Sequence, residues 1–291
     1  MNSGISARGA LGRIGDGKFE GKTSYEEFVI DKKGDRVIKI NTEILEDHFM
    51  QPKPVMFAHL PPIPPKVIAV ACGLYHIVVV ARDPQNSHGK LYTSGLNNYG
   101  QLGHGDTENR DVLTLVRLKT QTTFSYTFKA NNVHIFYFIS LQVEDKKDDD
   151  FGYVAAGESF SLALTHDRQV LYSFGRSDYG QLGLGYNAKI KPDAKFTTPQ
   201  VVRFPKSVDI VSISAGDRHA SAVTSDHECY TWGYNEEGPT GHQNISTKAQ
   251  GFTEIYDPTL LKLEGEPECY PVQFSGGGQH SLLLVRPKLA E

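Results

Sequence analysis

The sequence predicts an all-β protein, a β-propeller, on three observations. One glycine-spaced phrase recurs along the chain, a second glycine phrase precedes each copy, and glycine itself is abundant, at 28 of 291 residues. That is nearly a tenth, against an ordinary share of about 7%. Because the glycines are spread along the chain, they mark many turns rather than one linker.

The first phrase is YTSGLNNYGQLGHG, from Tyr92 to Gly105. It returns as YSFGRSDYGQLGLG from Tyr172 to Gly185, and in worn form as YTWGYNEEGPTG from Tyr230 to Gly241. The glycines keep register: Gly95, Gly100 and Gly103; Gly175, Gly180 and Gly183; Gly233, Gly238 and Gly241. The same spacing occurs at Gly4, Gly9 and Gly12, so the chain is expected to begin inside a repeat. The second phrase begins at Ala71, Ala156, Ala215 and Gly276 and reads small-Gly-x-x-His/Phe-small-x-x-apolar. Its glycines are Gly73, Gly157, Gly216 and Gly277, taken as structural.

β-rich runs such as Val67 to Ala71 and Asp209 to Ser214 lead into the second phrase. A glycine turn, an apolar strand, a short turn and an aromatic strand follow. Several short strands per unit, with a unit of about fifty to sixty residues, describe propeller blades. A β-sandwich would not repeat the glycine register. The expected organisation is the end of a truncated repeat at 1–16, an inter-blade loop at 17–65 and a repeat at 66–118. An insertion at 119–150 follows, then repeats at 151–207 and 208–268, and a closing strand and tail at 269–291. The 17–65 segment is charged and then proline-rich. The 119–150 segment loses the repeat register, is aromatic and apolar from Phe124 to Val143, and ends in a charge run to Asp150.

The bulk properties narrow the function. A formal charge of −4 argues against a broad nucleic-acid surface. Cys72, Cys229 and Cys269 form no close pair, so neither a disulfide framework nor a zinc site is indicated, and a reducing compartment fits. No apolar run reaches the length of a membrane span, and no membrane partner is expected. There is no phosphate loop, no metal-ligand spacing and no acid–base pair at fixed spacing. Hence no catalytic residue, metal, cofactor or small-molecule substrate is expected. Asn244 opens a glycosylation pattern that an intracellular protein would not use.

The phrases YGQLGLG (Tyr179 to Gly185) and GGQHSLLLV (Gly277 to Val285) resemble signatures of the regulator of chromosome condensation family. The type member of that family exchanges guanine nucleotide on the small GTPase Ran. The order of features is also similar to its later blades. A GALGR motif opens the chain, a charged loop runs to PKPVM ending at Met56, and the CGLY blade at Cys72 to Tyr75 follows. The resemblance implies a seven-bladed propeller, of which these repeats form about four blades of a partial ring. It implies an exchange factor for Ran that is nuclear, chromatin-associated and in contact with histones. It also implies exchange without covalent chemistry, because one face of the propeller grips the GTPase and favours its nucleotide-free state.

By the same resemblance, the partner-binding positions follow the glycine of the second phrase. They are Leu74 and Tyr75, Glu158 and Ser159, Asp217 and Arg218, and Gly278 and Gln279, with His280 beside them. In the blade containing Ala156 to Phe160, the family implies histidine where this chain has Ser159. A carboxylate at Asp217 can meet basic residues of a GTPase or can cap its own turn. His76, His219 and His280 share one repeat slot and can be packed core histidines or contacts. The alternative to an exchange factor is a non-catalytic interaction propeller or scaffold of the same repeat family, such as a ligase substrate-binding module.

Overall fold

The computed structural model describes residues 25–30, 36–41, 57–58, 65–82, 85, 87–130, 133–145, 150–186, 194–242, 254–263 and 269–288. Among them every regular element is a β-strand. Sheet I comprises β3 (Lys66–Cys72), β4 (His76–Arg82), β5 (Gly89–Gly95) and β6 (Arg110–Leu115). Sheet II comprises β9 (Phe151–Ala156), β10 (Phe160–Thr165), β11 (Leu171–Arg176) and β12 (Lys195–Val201). Sheet III comprises β13 (Ile210–Ala215), β14 (His219–Thr224), β15 (Cys229–Gly233) and β16 (Ile255–Leu260). Sheet IV holds two strands, β17 (Cys269–Gly276) and β18 (Ser281–Pro287). All are antiparallel meanders paired in sequence order. The fold is therefore the propeller type expected, as a partial ring.

The remaining strands form two separate hairpins. β7 (Lys119–Ala130) and β8 (Val133–Asp145) pair with each other, from Ala130 against Val133 to Lys119 against Asp145. They occupy the segment that lacks repeat register. β1 (Tyr25–Ile30) pairs with β2 (Arg36–Asn41) inside the stretch expected to be an inter-blade loop. That stretch therefore carries a hairpin of its own. The segments YEEFVI and RVIKIN are short and diluted by charge, but their Val, Ile and Phe residues favour the pleat. The opening register at Gly4, Gly9 and Gly12, and Asn244, lie outside the described residues.

Each four-stranded sheet closes at the same point. The first residue of its second strand faces the glycine ending its third: His76 with Gly95, Phe160 with Gly175, and His219 with Gly233. These three glycines have φ of 115°, 113° and 107°, outside the range that other residues hold without strain. The glycines of the second phrase are needed for a different reason. Their N–H groups make the same turn bond, Gly73, Gly157, Gly216 and Gly277 donating to the carbonyls of His76, Phe160, His219 and His280 at 2.9–3.0 Å. A Cβ on Gly216 would come within 2.4 Å of the Gly277 carbonyl oxygen, so each sheet passes its neighbour too closely for a side chain. Glu158 N–H donates to Asp217 O (3.1 Å) and Asp217 N–H to Gly277 O (2.9 Å), which binds successive sheets at this point.

Hydrophobic packing joins the sheets face to face. Val78, Val80 and Leu91 of sheet I meet Phe151, Ala163 and Phe174 of sheet II. Phe160, Leu162 and Leu164 of sheet II meet Ala220, Ala222 and the fully buried Trp232 of sheet III. Val223 and Cys229 of sheet III meet Phe274 and Leu283 of sheet IV. In the second strand, positions two and four after the slot residue thus face the following sheet. Positions one and three after it face the preceding sheet. On the far side of sheet I, Ile77, Val79, Ala81 and Leu113 are covered in part by Phe57, whose ring meets Tyr92 edge-on at 5.0 Å.

At the slot itself, a buried polar relay alternates with an apolar pair. His76 Nε2 lies 3.0 Å from Ser161 Oγ, and that hydroxyl donates to the Gln101 carbonyl at 2.7 Å. Because the serine proton is committed to the carbonyl, His76 must donate from Nε2, which assigns the neutral Nε2–H tautomer. His219 repeats the arrangement with Ser281 (2.8 Å), which donates to Pro239 O (2.7 Å). Between sheets II and III the slot holds Phe160, and the position facing it is Ala220 rather than serine. Histidine goes with serine on the next sheet, and phenylalanine with alanine.

Burial pushes the imidazoles of His76 and His219 down to about 4. Their folded-state values lie below the unfolded value of 6.5, so the stability they contribute is complete above pH 6.5. It is lost as the pH falls from there toward 4, by about 3 kcal/mol for His76. Ser161→Ala is expected to destabilise the protein by about 1–3 kcal/mol, because the buried His76 N–H loses its acceptor. Adding His76→Phe, which copies the Phe160–Ala220 pair, is expected to recover part of that loss. It should also flatten the fall in stability between pH 6.5 and 4 in denaturant titrations. An unchanged pH profile in the double variant would show that His76 is not the titrating group.

Candidate protein-docking face

The third strand of each sheet returns to the slot, so two turns emerge on one side of the molecule. One is the tip between the first and second strands. The other is the long loop that leaves the third strand. The loop is held by the same bonds in each sheet. Gly100, Gly180 and Gly238 N–H donate to the carbonyls of Asn97, Ser177 and Asn235. Thr93 Oγ1, Ser173 Oγ and Thr231 Oγ1 donate to the carbonyls of Leu102, Leu182 and Thr240 at 2.7–2.8 Å. Gly105 and Gly185 N–H reach across to Thr197 O and Tyr256 O on the following sheet. The face is therefore braced within and between sheets.

The tips of all four sheets meet around a concavity of about 330 Å³, with Glu158 and Asp217 at its rim. The Asp217 side chain is exposed and carries no hydrogen bond or ion pair among the described residues, so the self-capping arrangement is not seen. Glu158 is committed: its Oε2 accepts from Arg218 Nε at 3.1 Å. The Ser159 carbonyl accepts Arg176 N–H at 3.0 Å, and its side chain is half-buried. Leu74, Tyr75, Gln279 and His280 are exposed on this face, and Gly278 lies beside Asp217. His76 and His219 are instead core histidines of the relay.

Residues that sequence reasoning did not single out join Arg218 in a cluster of rings and charges. Arg176 lies between two rings, 4.8 Å from the Tyr99 centroid and 5.2 Å from that of Tyr179. It also makes a bidentate pair with Asp178, at 2.8 Å and 2.6 Å. Arg218 covers Tyr179 at 4.8 Å, and Tyr179 meets Tyr234 edge-on at 5.7 Å. Tyr234 donates to Glu236, and that bond, with burial, holds its hydroxyl up at about 12. A ladder of alternating rings and guanidinium groups thus runs across sheets I, II and III. The signal was present in the repeat, since Tyr99 and Tyr179 both stand immediately before the second glycine of the first phrase.

Among the described residues no group of three or more His, Cys, Asp and Glu side chains is placed to hold a metal ion. No helix among them is long and apolar enough to cross a membrane.

These repeated sheets, with one braced face of loops, define a β-propeller, here as a partial ring. The regulator of chromosome condensation (RCC1) repeat model matches residues 88–121, 170–223 and 226–284, and a second model of the repeat matches 210–238. The chain belongs to the RCC1 repeat family. It is similar to the ultraviolet-B receptor UVR8 of Arabidopsis thaliana, with 30% identity over 60% of this chain and 31% of the receptor. It is similar to the human E3 ubiquitin-protein ligase HERC2, with 29% identity over 75% of this chain and 4% of the ligase. With protein pim1 of Schizosaccharomyces pombe the identity is 26%, over 78% of this chain and 47% of pim1. The chain therefore spans half or less of these relatives.

Among solved structures, yeast RCC1 (Prp20) bound to Kap60 superposes with a TM-score of 0.58 at 21% identity, over 99% of this chain and 50% of that one. Human WBSCR16 superposes with a TM-score of 0.55 at 20% identity, over 78% and 48%. Both share the fold.

The ladder predicts a stability effect that a merely decorative surface would not show. Tyr179→Ala removes the ring shared by Arg176 and Arg218 and is expected to cost about 1–2 kcal/mol in chemical denaturation. Arg176→Lys is expected to destabilise as well, because an ammonium cannot form the two-pronged pair with Asp178 while stacking on Tyr99. Wild-type stability in both variants would show that the ladder does not brace the face.

Proposed function

We propose that this chain is a guanine nucleotide exchange factor-like propeller whose tip face docks a Ran-type small GTPase. The observation that carries the reading is the exposed carboxylate of Asp217, with no partner among the described residues, at the rim of the concavity where four sheets converge. A free carboxylate held on rigid backbone suits a basic side chain on a partner, because little ordering is left to do on binding. Membership of the RCC1 repeat family supports the kind of partner. So does the reported binding of yeast Prp20p, a fold neighbour, to Gsp1p and histones. On this reading the residues that touch the partner are Tyr75, Asp217, Gln279 and His280. Glu158, Ser159 and Arg218 hold the tips in place beside them. The protein would work in the nucleus, next to chromatin.

Such a face exchanges nucleotide by linkage. It binds the nucleotide-free GTPase better than the loaded one, so nucleotide affinity falls by the same factor when the propeller is bound. No group on the propeller needs to react.

The test compares binding of this chain to nucleotide-free and GDP-loaded Ran by calorimetry. At least about tenfold tighter binding to the nucleotide-free form is expected, equal to about 1.4 kcal/mol of differential contact. Asp217→Lys is expected to weaken that binding by at least about tenfold while leaving thermal stability unchanged. Equal affinity for both forms would reject exchange and leave an interaction propeller, a use consistent with the ligase and receptor relatives. Binding indifferent to Asp217→Lys would reject the tip face as the docking surface.

A further inference from the structure

Two seams between sheets carry a guanidinium group over a tyrosine ring. Between sheets I and II, Arg176 lies 4.8 Å from the Tyr99 centroid, and between sheets II and III, Arg218 lies 4.8 Å from the Tyr179 centroid. Each is also paired with a carboxylate, Arg176 with Asp178 and Arg218 with Glu158. The seam between sheets III and IV repeats the receptor without the cation. Repeat register puts Asp217 where Glu158 stands, Glu237 where Tyr179 stands, and Gln279 where Arg218 stands. We propose that this third seam is a subsite for an arginine side chain of the docked protein, held between Asp217 and Glu237 as Arg218 is held next door. The proposal rests on the docking reading and deepens it by naming the side chain that the partner inserts.

The equivalence holds in the backbone as well as in the register. The loops that carry Tyr179 and Glu237 are closed by the same bond, Gly180 N–H to Ser177 O at 3.2 Å and Gly238 N–H to Asn235 O at 3.0 Å. The tips that carry Arg218 and Gln279 are also closed alike, Gly216 N–H to His219 O and Gly277 N–H to His280 O, both at 2.9 Å. A guanidinium that reaches Glu158 and covers Tyr179 in one seam therefore meets Asp217 and Glu237 in the next. Glu237, Gln279 and His280 line one groove of about 770 Å³, and Asp217 stands at the rim of the adjoining concavity. A Cβ on Gly278 would lie 3.2 Å from Asp217 Oδ2, so the glycine at this tip leaves the carboxylate uncovered.

Asp217 and Glu237 are exposed, and neither has a hydrogen bond or ion pair among the described residues. Two neighbouring carboxylates on braced backbone repel each other, and a cation between them relieves that repulsion. Arginine suits the seam better than lysine. Its planar fork of five N–H donors can serve two acceptors on different loops at once, whereas an ammonium is a compact point charge. Exchange of the tyrosine ring for Glu237 turns a stacking surface into the second acceptor. The subsite is made of the tips and loop alone and is independent of what pairs with β18.

The first probe is Nα-acetyl-argininamide, titrated into the full chain and followed by NMR of the side-chain carboxyl groups. Saturable shifts are expected at Asp217 and Glu237 and not at Glu158, with the lysine analogue bound at least about threefold more weakly. Gln279→Arg supplies the guanidinium from the chain itself. It should abolish the argininamide shifts and raise the melting temperature by about 1–3 °C, a gain that is lost in an Asp217→Asn background. The second probe is nucleotide-free Ran, whose affinity Gln279→Arg is expected to weaken about tenfold or more. Absence of shifts, a lysine analogue bound as tightly, or a thermal gain that survives Asp217→Asn would each overturn the proposal. If Ran binds and Gln279→Arg leaves its affinity unchanged, the subsite is rejected and the docking face stands. If Ran does not bind the native chain, the docking reading fails and the argininamide titration decides the subsite.

Discussion

The structure depends on how closely four strands can approach one another at their tips. Gly73, Gly157 and Gly216 let each sheet pass the next at a distance that leaves no room for a methyl group. Only at that distance can Asp217 N–H reach Gly277 O and Glu158 N–H reach Asp217 O. The same approach brings a slot residue of one sheet onto the next, where a buried His–Ser–carbonyl relay or a Phe–Ala contact completes the seam. Hydrophobic packing between the sheets is larger in area but less particular, because Leu, Val and Ala exchange readily at the facing positions. The glycines and the seam residues fix which surfaces meet and in what register.

On the proposed reading, this arrangement leaves the loop side little to order when a partner binds. A docking surface made of loops is ordinarily costly to order on binding. Here each loop is tied down by a hydroxyl of its own third strand, and those of sheets I and II also by a glycine N–H that crosses to the next sheet. The ring-and-guanidinium ladder then spans three sheets. Asp217 stands out from this braced ground with its carboxylate unengaged among the described residues. Glu158, equally acidic and equally placed at a tip, has been drawn into holding Arg218. Two carboxylates at matching repeat positions therefore have different tasks, set by what the adjacent sheet offers.

Much of the fold was legible because glycine leaves an unambiguous trace. A recurring register of positive-φ and close-approach glycines cannot be mistaken for a composition effect, and it located the strands of sheets I to III and the tips. The hairpin of β1 and β2 was not legible, since six-residue strands diluted by charge lack the alternation that marks a buried face. At the docking face the tip positions could be placed, but not their engagement. Nothing in the local sequence shows that Glu158 will find Arg218 60 residues away, or that Tyr179 will sit between two arginines. Those are contacts between sheets, and repeat register describes each sheet alone. Tyr99 and Tyr179 were visible as repeated tyrosines, yet their partners are not at repeated positions.

The alternation of His–Ser with Phe–Ala bears on how such a chain is inherited. Each matched pair straddles two sheets, so a gene duplication that copied one sheet cleanly would carry a slot residue from one seam and a facing residue from another. Inserted after sheet I, a copy of sheet III would set Ala220 against His76 and strand a buried imidazole. Duplications of whole sheets in this lineage would thus tend to arrive damaged at the seam and require a second change to persist. The heritable module is the junction, a half-sheet on either side of a seam, rather than the sheet that the eye picks out.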